Sequence, residues 1–227
     1  MNKLLTNRRK LLKGTLMSLG GISLATGTTK AALQSCGLTP AQTEGPFYPV
    51  EDQLDKDSDL TFVKHKRKSA KGEVIILKGV VRDQNCKVIK DTLVEIWQAC
   101  STGKYNHPGD PNPAKLDPNF QYWGRSLTND KGEYSFKTVI PGFYQATSNW
   151  MRPAHIHLKV HRRGFEELTS QVYFKGDPYN KSDKILQSLT KEEQSKVIVN
   201  FEVRKDKTGF EKDNIKIGNF DITIRNI

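Results

Sequence analysis

Short runs of alternating apolar and polar residues, each closed by turn-forming residues, dominate the chain from residue 73 onward. Glu73 to Val81 is rich in Val and Ile, and Asp83-Gln84-Asn85 closes it. Thr92 to Gln98 then alternates toward Trp97. Both read as strands. Asn129-Asp130-Lys131-Gly132 predicts a hairpin between Gly124–Thr128 and Glu133–Val139. His155 to His161 is a further strand, turned by Arg162-Arg163-Gly164. Ser170 to Phe174 and Phe220 to Ile224 complete the set. Helical patterning is confined to Asp183–Leu189 and Lys191–Lys196. Many short strands at this spacing predict an all-β domain, an antiparallel β-sandwich with one or two short helices. Ser101 to Trp123 fits neither period and is interrupted by Pro108, Pro111, Pro113 and Pro118. A long ordered loop on a β scaffold is where function usually resides.

Length and charge add a leader to this picture. The 227 residues suit one domain plus a processed segment. The formal net charge is +11, but six of the 36 basic residues fall within residues 1–35, where there is no acid. The rest of the chain carries 30 basic against 25 acidic residues, a modest bias that suits anionic aromatic acids. No basic run is interleaved with stacking aromatics, so a nucleic-acid partner is not expected. Asn7-Arg8-Arg9-Lys10-Leu11-Leu12, followed by a weakly apolar Leu16–Thr28, reads as a twin-arginine export signal. That stretch is too short and too polar to span a membrane. The expected organisation is a signal over 1–32, an extended arm over 33–60 and the β-sandwich domain over 61–227, with a periplasmic or extracellular destination. Leu33-Gln34-Ser35-Cys36 is a loose lipobox, which would tether the chain to a membrane through a lipidated Cys36. The other cysteines are Cys86 and Cys100. One disulfide is expected among the three, with the pairing open.

The sharpest chemical feature is Trp150-Met151-Arg152-Pro153-Ala154-His155-Ile156-His157. Residues two apart in a strand share a face, so His155 and His157 project together and can share one metal. An isolated HxH is as often a pair of packing histidines. No acid lies on the strand to complete a two-histidine, one-carboxylate set. Two tyrosines, Tyr105 and Tyr144, lie on stretches before the histidines. Phenolate is a hard anionic ligand suited to a trivalent ion, although most of the seven tyrosines must simply pack.

Several motifs carry a family resemblance in their order along the chain. They are Gly103-Lys104-Tyr105, Leu116-Asp117-Pro118-Asn119-Phe120, Gly124-Arg125-Ser126-Leu127-Thr128, Pro141-Gly142-Phe143-Tyr144 and the arginine–histidine segment above. Thr43-Glu44-Gly45-Pro46-Phe47-Tyr48 and Gln171-Val172-Tyr173-Phe174-Lys175-Gly176-Asp177-Pro178 extend the match over residues 38 to 227. The chain resembles the intradiol ring-cleavage dioxygenases, and within them the iron-bearing β subunits of the protocatechuate type. The resemblance implies a transthyretin-like sandwich and non-haem iron(III) held by Tyr105, Tyr144, His155 and His157. It implies O2 insertion into a catechol-type ring between its two hydroxylated carbons, giving a cis,cis-muconate. Arg152 would stand beside the ring, Tyr144 would accept a proton, and Gln171 would lie behind the ligands. Gly45, Pro46 and Phe47 match an arm that lines the substrate site, in cis or from a neighbouring copy, and a homo-oligomer is expected. Gln145-Ala146-Thr147-Ser148-Asn149 is shorter than in the protocatechuate enzymes and lacks their tryptophan, which leaves the particular catechol open. Two competing readings remain: a secreted β-sandwich binding module without chemistry, and a zinc-dependent hydrolase built on the HxH pair.

Overall fold

The structure, a computed structural model, describes residues 35–53, 55–203 and 215–227. The twin-arginine leader and the residues up to Gln34 lie outside the described residues. Among the described residues, no helix is long and apolar enough to cross a membrane.

The fold is mostly strand. One sheet is organised on β1 (Val74–Asp83), which pairs antiparallel with β4 (Glu133–Val139) on one side. On its other side β1 pairs in parallel with β11 (Lys216–Asn219) and then with β12 (Ile222–Ile224). The two-residue strand β10 (Glu202–Val203) extends this sheet beyond β11. The second sheet runs in the order β3 (Trp123–Leu127), β2 (Leu93–Trp97), β7 (His155–His161), β8 (Leu168–Phe174) and β9 (Ile198–Val199). Its last pairing, β8 with β9, is again parallel. A separate two-stranded ribbon joins β5 (Tyr144–Thr147) to β6 (Trp150–Arg152).

Both sheets are therefore mixed, which corrects the antiparallel expectation. Parallel neighbours need a long return path, and β1 and β9 acquire theirs only after excursions through other elements. The predicted hairpin is also corrected. The turn forms, with Asn129 accepting the amide of Gly132 and donating its own to Glu133. Its two flanking strands, however, pair with β2 and β1 respectively, so the turn hands the chain from one sheet to the other.

Inward side chains of the two sheets share one apolar cluster. Ile75, Leu77, Val81 and Phe136 come from the first sheet, and Val94, Ile96, Ile156, Leu158, Val160 and Val172 from the second. The helical segments are short. A 3-10 turn spans Pro178–Lys181, α1 spans Lys184–Gln187 and α2 spans Lys191–Val197. The predicted Asp183–Leu189 helix shrinks to one turn because Asp183 is its cap, its side chain accepting from Leu186 N, and Ser188 already closes it. In α2 the Thr190–Glu193 capping box satisfies the first free amides.

The N-terminal arm is stitched onto this body. Cys36 and Cys86 form a disulfide across a sequence separation of 50, which settles the pairing; Cys100 is a buried thiol. With its sulfur in that bond, Cys36 has none left for a lipid thioether. Thr39 N donates to Thr223 O and Gln42 N donates to Thr169 O, carrying the arm toward the edge of the second sheet.

Candidate metal centre

Strand β7 has two differently employed faces. Ile156, Leu158 and Val160 enter the main core, while His155 and His157, both buried, face the other way. There they meet a second apolar cluster made of Phe47, Trp97, Ala99, Tyr105, Trp123 and Tyr144. The alternation of one strand thus supplies a core face and a chemical face together.

Each ligand candidate is held by a different device. Tyr105 lies on the long loop, where its amide donates to Asp110 Oδ2 at 2.7 Å and Asn112 Nδ2 donates to Gly103 O at 2.9 Å. Tyr144 begins β5, directly after Gly142, which packs on the Tyr105 loop. A Cβ at Gly142 would stand 2.4 Å from Gly103 N, so only glycine allows the two tyrosine-bearing segments this close. His155 Nδ1 lies 2.7 Å from Pro153 O, which makes Nδ1 the protonated nitrogen and leaves the Nε2 lone pair free. The His157 ring is stacked on Trp97, with centroids 4.8 Å apart and planes at 11°. Cross-strand register puts Trp97 and Gln171 on either side of His157.

The four side chains converge. Tyr105 Oη is 3.2 Å from His155 Nε2, and His157 Nε2 is 3.2 Å from the same atom. The Tyr144 ring is 5.6 Å from that of Tyr105 and 5.8 Å from that of His155. Two nitrogens bound to a common ion at about 2.1 Å each, at an angle somewhat above a right angle, would stand this far apart. Burial lowers the pKa of both histidines well below the usual value, reinforced by the Arg152 charge, so both are neutral and able to coordinate. Burial likewise raises Tyr105 well above the ordinary phenol value and raises Tyr144, the latter opposed mainly by Arg152. Two phenols desolvated beside two neutral imidazoles make a donor set whose anionic form calls for a cation. The oxygen atoms brought to the two imidazoles are the phenols of Tyr105 and Tyr144. The residues present fit a hard trivalent ion.

Arg152, at the end of β6, is 3 % exposed and completes the site. Its Nε donates to Asp183 Oδ2 at 2.7 Å and its Nη2 donates to Gln171 Oε1 at 2.6 Å. The Gly45–Phe47 arm arrives within the same chain. Phe47 packs 4.8 Å from the Tyr105 ring and 6.2 Å from that of Tyr144, and Gln171 Nε2 donates to Thr43 O at 3.0 Å. Gly45 has φ 74°, and a Cβ there would sit 3.3 Å from His157 Cε1. Gly45→Ala is therefore expected to cost about 1–2 kcal/mol in backbone strain and to displace the His157 ring. Metal retention during dialysis against a weak chelator should fall relative to the parent protein; unchanged retention would show that the contact does not matter.

Sequence reading missed Trp97 and Asp183 as parts of this site. The strand pattern located Trp97, but its contact with His157 depends on the pairing of β2 with β7. Trp150 was visible only as part of a motif. In the structure the Arg152 guanidinium lies 5.4 Å from the Trp150 ring, so β6 brings an indole to the neighbourhood where none follows Tyr144.

Two tyrosines, two histidines and an arginine gathered on a β scaffold make a candidate metal centre, and comparison with known proteins gives the family. The family described as Dioxygenase matches residues 43–225. The protocatechuate 3,4-dioxygenase beta chain of Burkholderia cepacia is 39% identical over 159 residues, covering 69% of this chain and 68% of that one. Catechol 1,2-dioxygenase 2 of Acinetobacter lwoffii is 32% identical over 163 residues, covering 63% of this chain and 54% of its own length. The dioxygenase domain of a carbohydrate-binding fusion protein from Streptomyces sp. SirexAA-E superposes with a TM-score of 0.61 at 25% identity. That match covers 84% of this chain and 100% of the domain. The chain belongs to the intradiol ring-cleavage dioxygenase family.

Proposed function

We propose that the chain is an exported iron(III) enzyme that opens a catechol-type ring between its two hydroxylated carbons, consuming O2 and giving a cis,cis-muconate. The observation that carries the reading is the meeting of Tyr105, Tyr144, His155 and His157 at one buried point with Arg152 alongside.

Ferric iron, when bound by these four side chains, supplies a Lewis-acidic centre that draws electron density from a chelated catechol. The protein does the rest. His155 and His157 stay neutral and are fixed by Pro153 O and by the Trp97 stack. Tyr105 and Tyr144, as phenolates, offset the charge of the ion. Tyr144 Oη is the atom that takes the proton of an incoming catechol hydroxyl, because Tyr144 opens a ribbon whose next residues, Gln145, Ala146 and Thr147, are exposed, which puts this phenol on the solvent side of the site. The Arg152 guanidinium faces negative charge that develops on the ring. Phe47 covers the tyrosines and keeps bulk water from the reacting carbons.

Export is supported by the Cys36–Cys86 disulfide, which fits an oxidising compartment, and by the twin-arginine segment. The basic bias of the chain favours catechols bearing an acidic substituent.

Protein purified after iron-replete expression is expected to be red-brown from tyrosinate-to-iron charge transfer and to hold one iron per chain. Oxygen uptake against catechol, protocatechuate, hydroxyquinol and lignin-derived catechols then identifies the substrate. A colourless, iron-free protein from such a preparation would overturn the reading.

A further inference from the structure

We propose that Asp183 is a positioning residue for ring opening, acting by locking the Arg152 guanidinium in one orientation beside the tyrosines; this rests on the ring-cleaving reading of the site. The pair is fully desolvated, with Asp183 at 0% and Arg152 at 3% exposure. Asp183 Oδ2 accepts from Arg152 Nε at 2.7 Å, while Oδ1 accepts from Leu186 N at 2.7 Å. The carboxylate is thus itself anchored, through a leucine buried in the main core. Gln171 Oε1 holds a second edge of the guanidinium and also accepts from the Tyr173 hydroxyl at 3.1 Å. With Nε and one terminal nitrogen fixed, rotation of the guanidinium plane is blocked, and the group is held on the rung of the β5–β6 ribbon that Arg152 shares with Tyr144.

A buried ion pair is a poor device for stability, since apolar residues of similar volume usually do as well. It is a good device for orientation, because a bidentate-capable fork loses little further entropy once both edges are engaged. There is an electrostatic consequence as well. An unpaired guanidinium beside a bound trivalent ion would repel it, and the Asp183 charge offsets that repulsion while leaving the Arg152 donors in place.

Asp183→Asn keeps the shape of the side chain and an oxygen for the α1 cap but removes the charge. In the iron-loaded enzyme it is expected to lower kcat on the order of 10–100-fold while the catechol Kd, measured anaerobically from the visible band, moves less than about threefold. In an Arg152→Ala background the same substitution should change kcat less than about twofold, because the two residues act as one unit. Asp183→Ser, which keeps a good helix cap and removes the carboxylate, should behave as Asp183→Asn does and so separates orientation from capping. An independent readout needs neither iron nor turnover: hydrogen exchange at the Arg152 Nε–H, followed by NMR in the iron-free protein, should be faster in Asp183→Asn than in the parent. The proposal is overturned if kcat of Asp183→Asn stays within twofold of the parent, if the two substitutions multiply, or if Nε–H exchange is unchanged. If the parent enzyme opens no catechol at all, the functional reading fails instead, and the exchange experiment still decides whether Asp183 immobilises Arg152.

Discussion

Tyr144→Phe is expected to yield a protein that still takes up iron(III) and still binds catechol but opens the ring on the order of 10²–10⁴-fold more slowly, the usual loss when a positioned proton acceptor is removed. The two tyrosines are not equivalent. Tyr105 is clamped by its own amide to Asp110 and buried within the loop body, and burial holds its pKa well above the ordinary phenol value. Tyr144 stands at the start of a solvent-facing ribbon, and Arg152 opposes the effect of burial on its phenol. A phenolate beside a guanidinium at the solvent-facing side of the site suits transient proton storage; one clamped by its own loop and deeply desolvated suits permanent ligation. The matching Tyr105→Phe variant should instead lose iron and colour. The two are separated by an anaerobic catechol titration followed by rapid mixing with O2. Undiminished turnover in Tyr144→Phe would eliminate the proton-acceptor role.

Cys86→Ser should lower the stability of the chain by about 4 kcal/mol, the entropy of an unfolded loop closed across the 50-residue separation of Cys36 and Cys86. For a chain of this size that corresponds to a fall in the thermal midpoint of roughly 8–16 °C. The arm tied down by this bond leads directly to Gln42, Thr43, Gly45 and Phe47, which touch Gln171, His157 and Tyr105. Reduction of the parent protein should therefore reproduce the variant's midpoint, and reductant should leave the variant unaffected. An equal midpoint for oxidised parent and variant would show that the arm's hydrogen bonds alone hold it.

The chemical strand was legible because both of its faces are marked in the sequence. Ile156, Leu158 and Val160 announce the core side, and His155 and His157 the other. The predicted His155–His161 strand coincides with β7. Turn chemistry was legible too, but turns act locally. Asn129 and Gly132 make the predicted turn without saying that β3 and β4 will join different sheets. Of the parallel partners of β1, β12 falls within the predicted Phe220–Ile224 strand, but β11 could not be read. Lys216–Asn219 is four residues with no alternation, and its partner lies about 140 residues earlier in the chain. The tyrosines were singled out by motif resemblance and not by pattern, since a phenol in a loop looks the same whether it packs or coordinates. Trp97 and Asp183 gain their roles only from register and tertiary contact, which no local signal encodes.

Among the described residues the β5–β6 ribbon pairs only with itself, and its base rung joins Tyr144 to Arg152. Its tip, Ala146 to Asn149, is exposed and pairs with no other described strand. Chain can be added or removed at that tip without disturbing the rung that carries both reactive side chains. Evolution, or a protein engineer, can thus vary the rim beside these side chains by length alone, as one changes the depth of a socket while keeping its contacts in place.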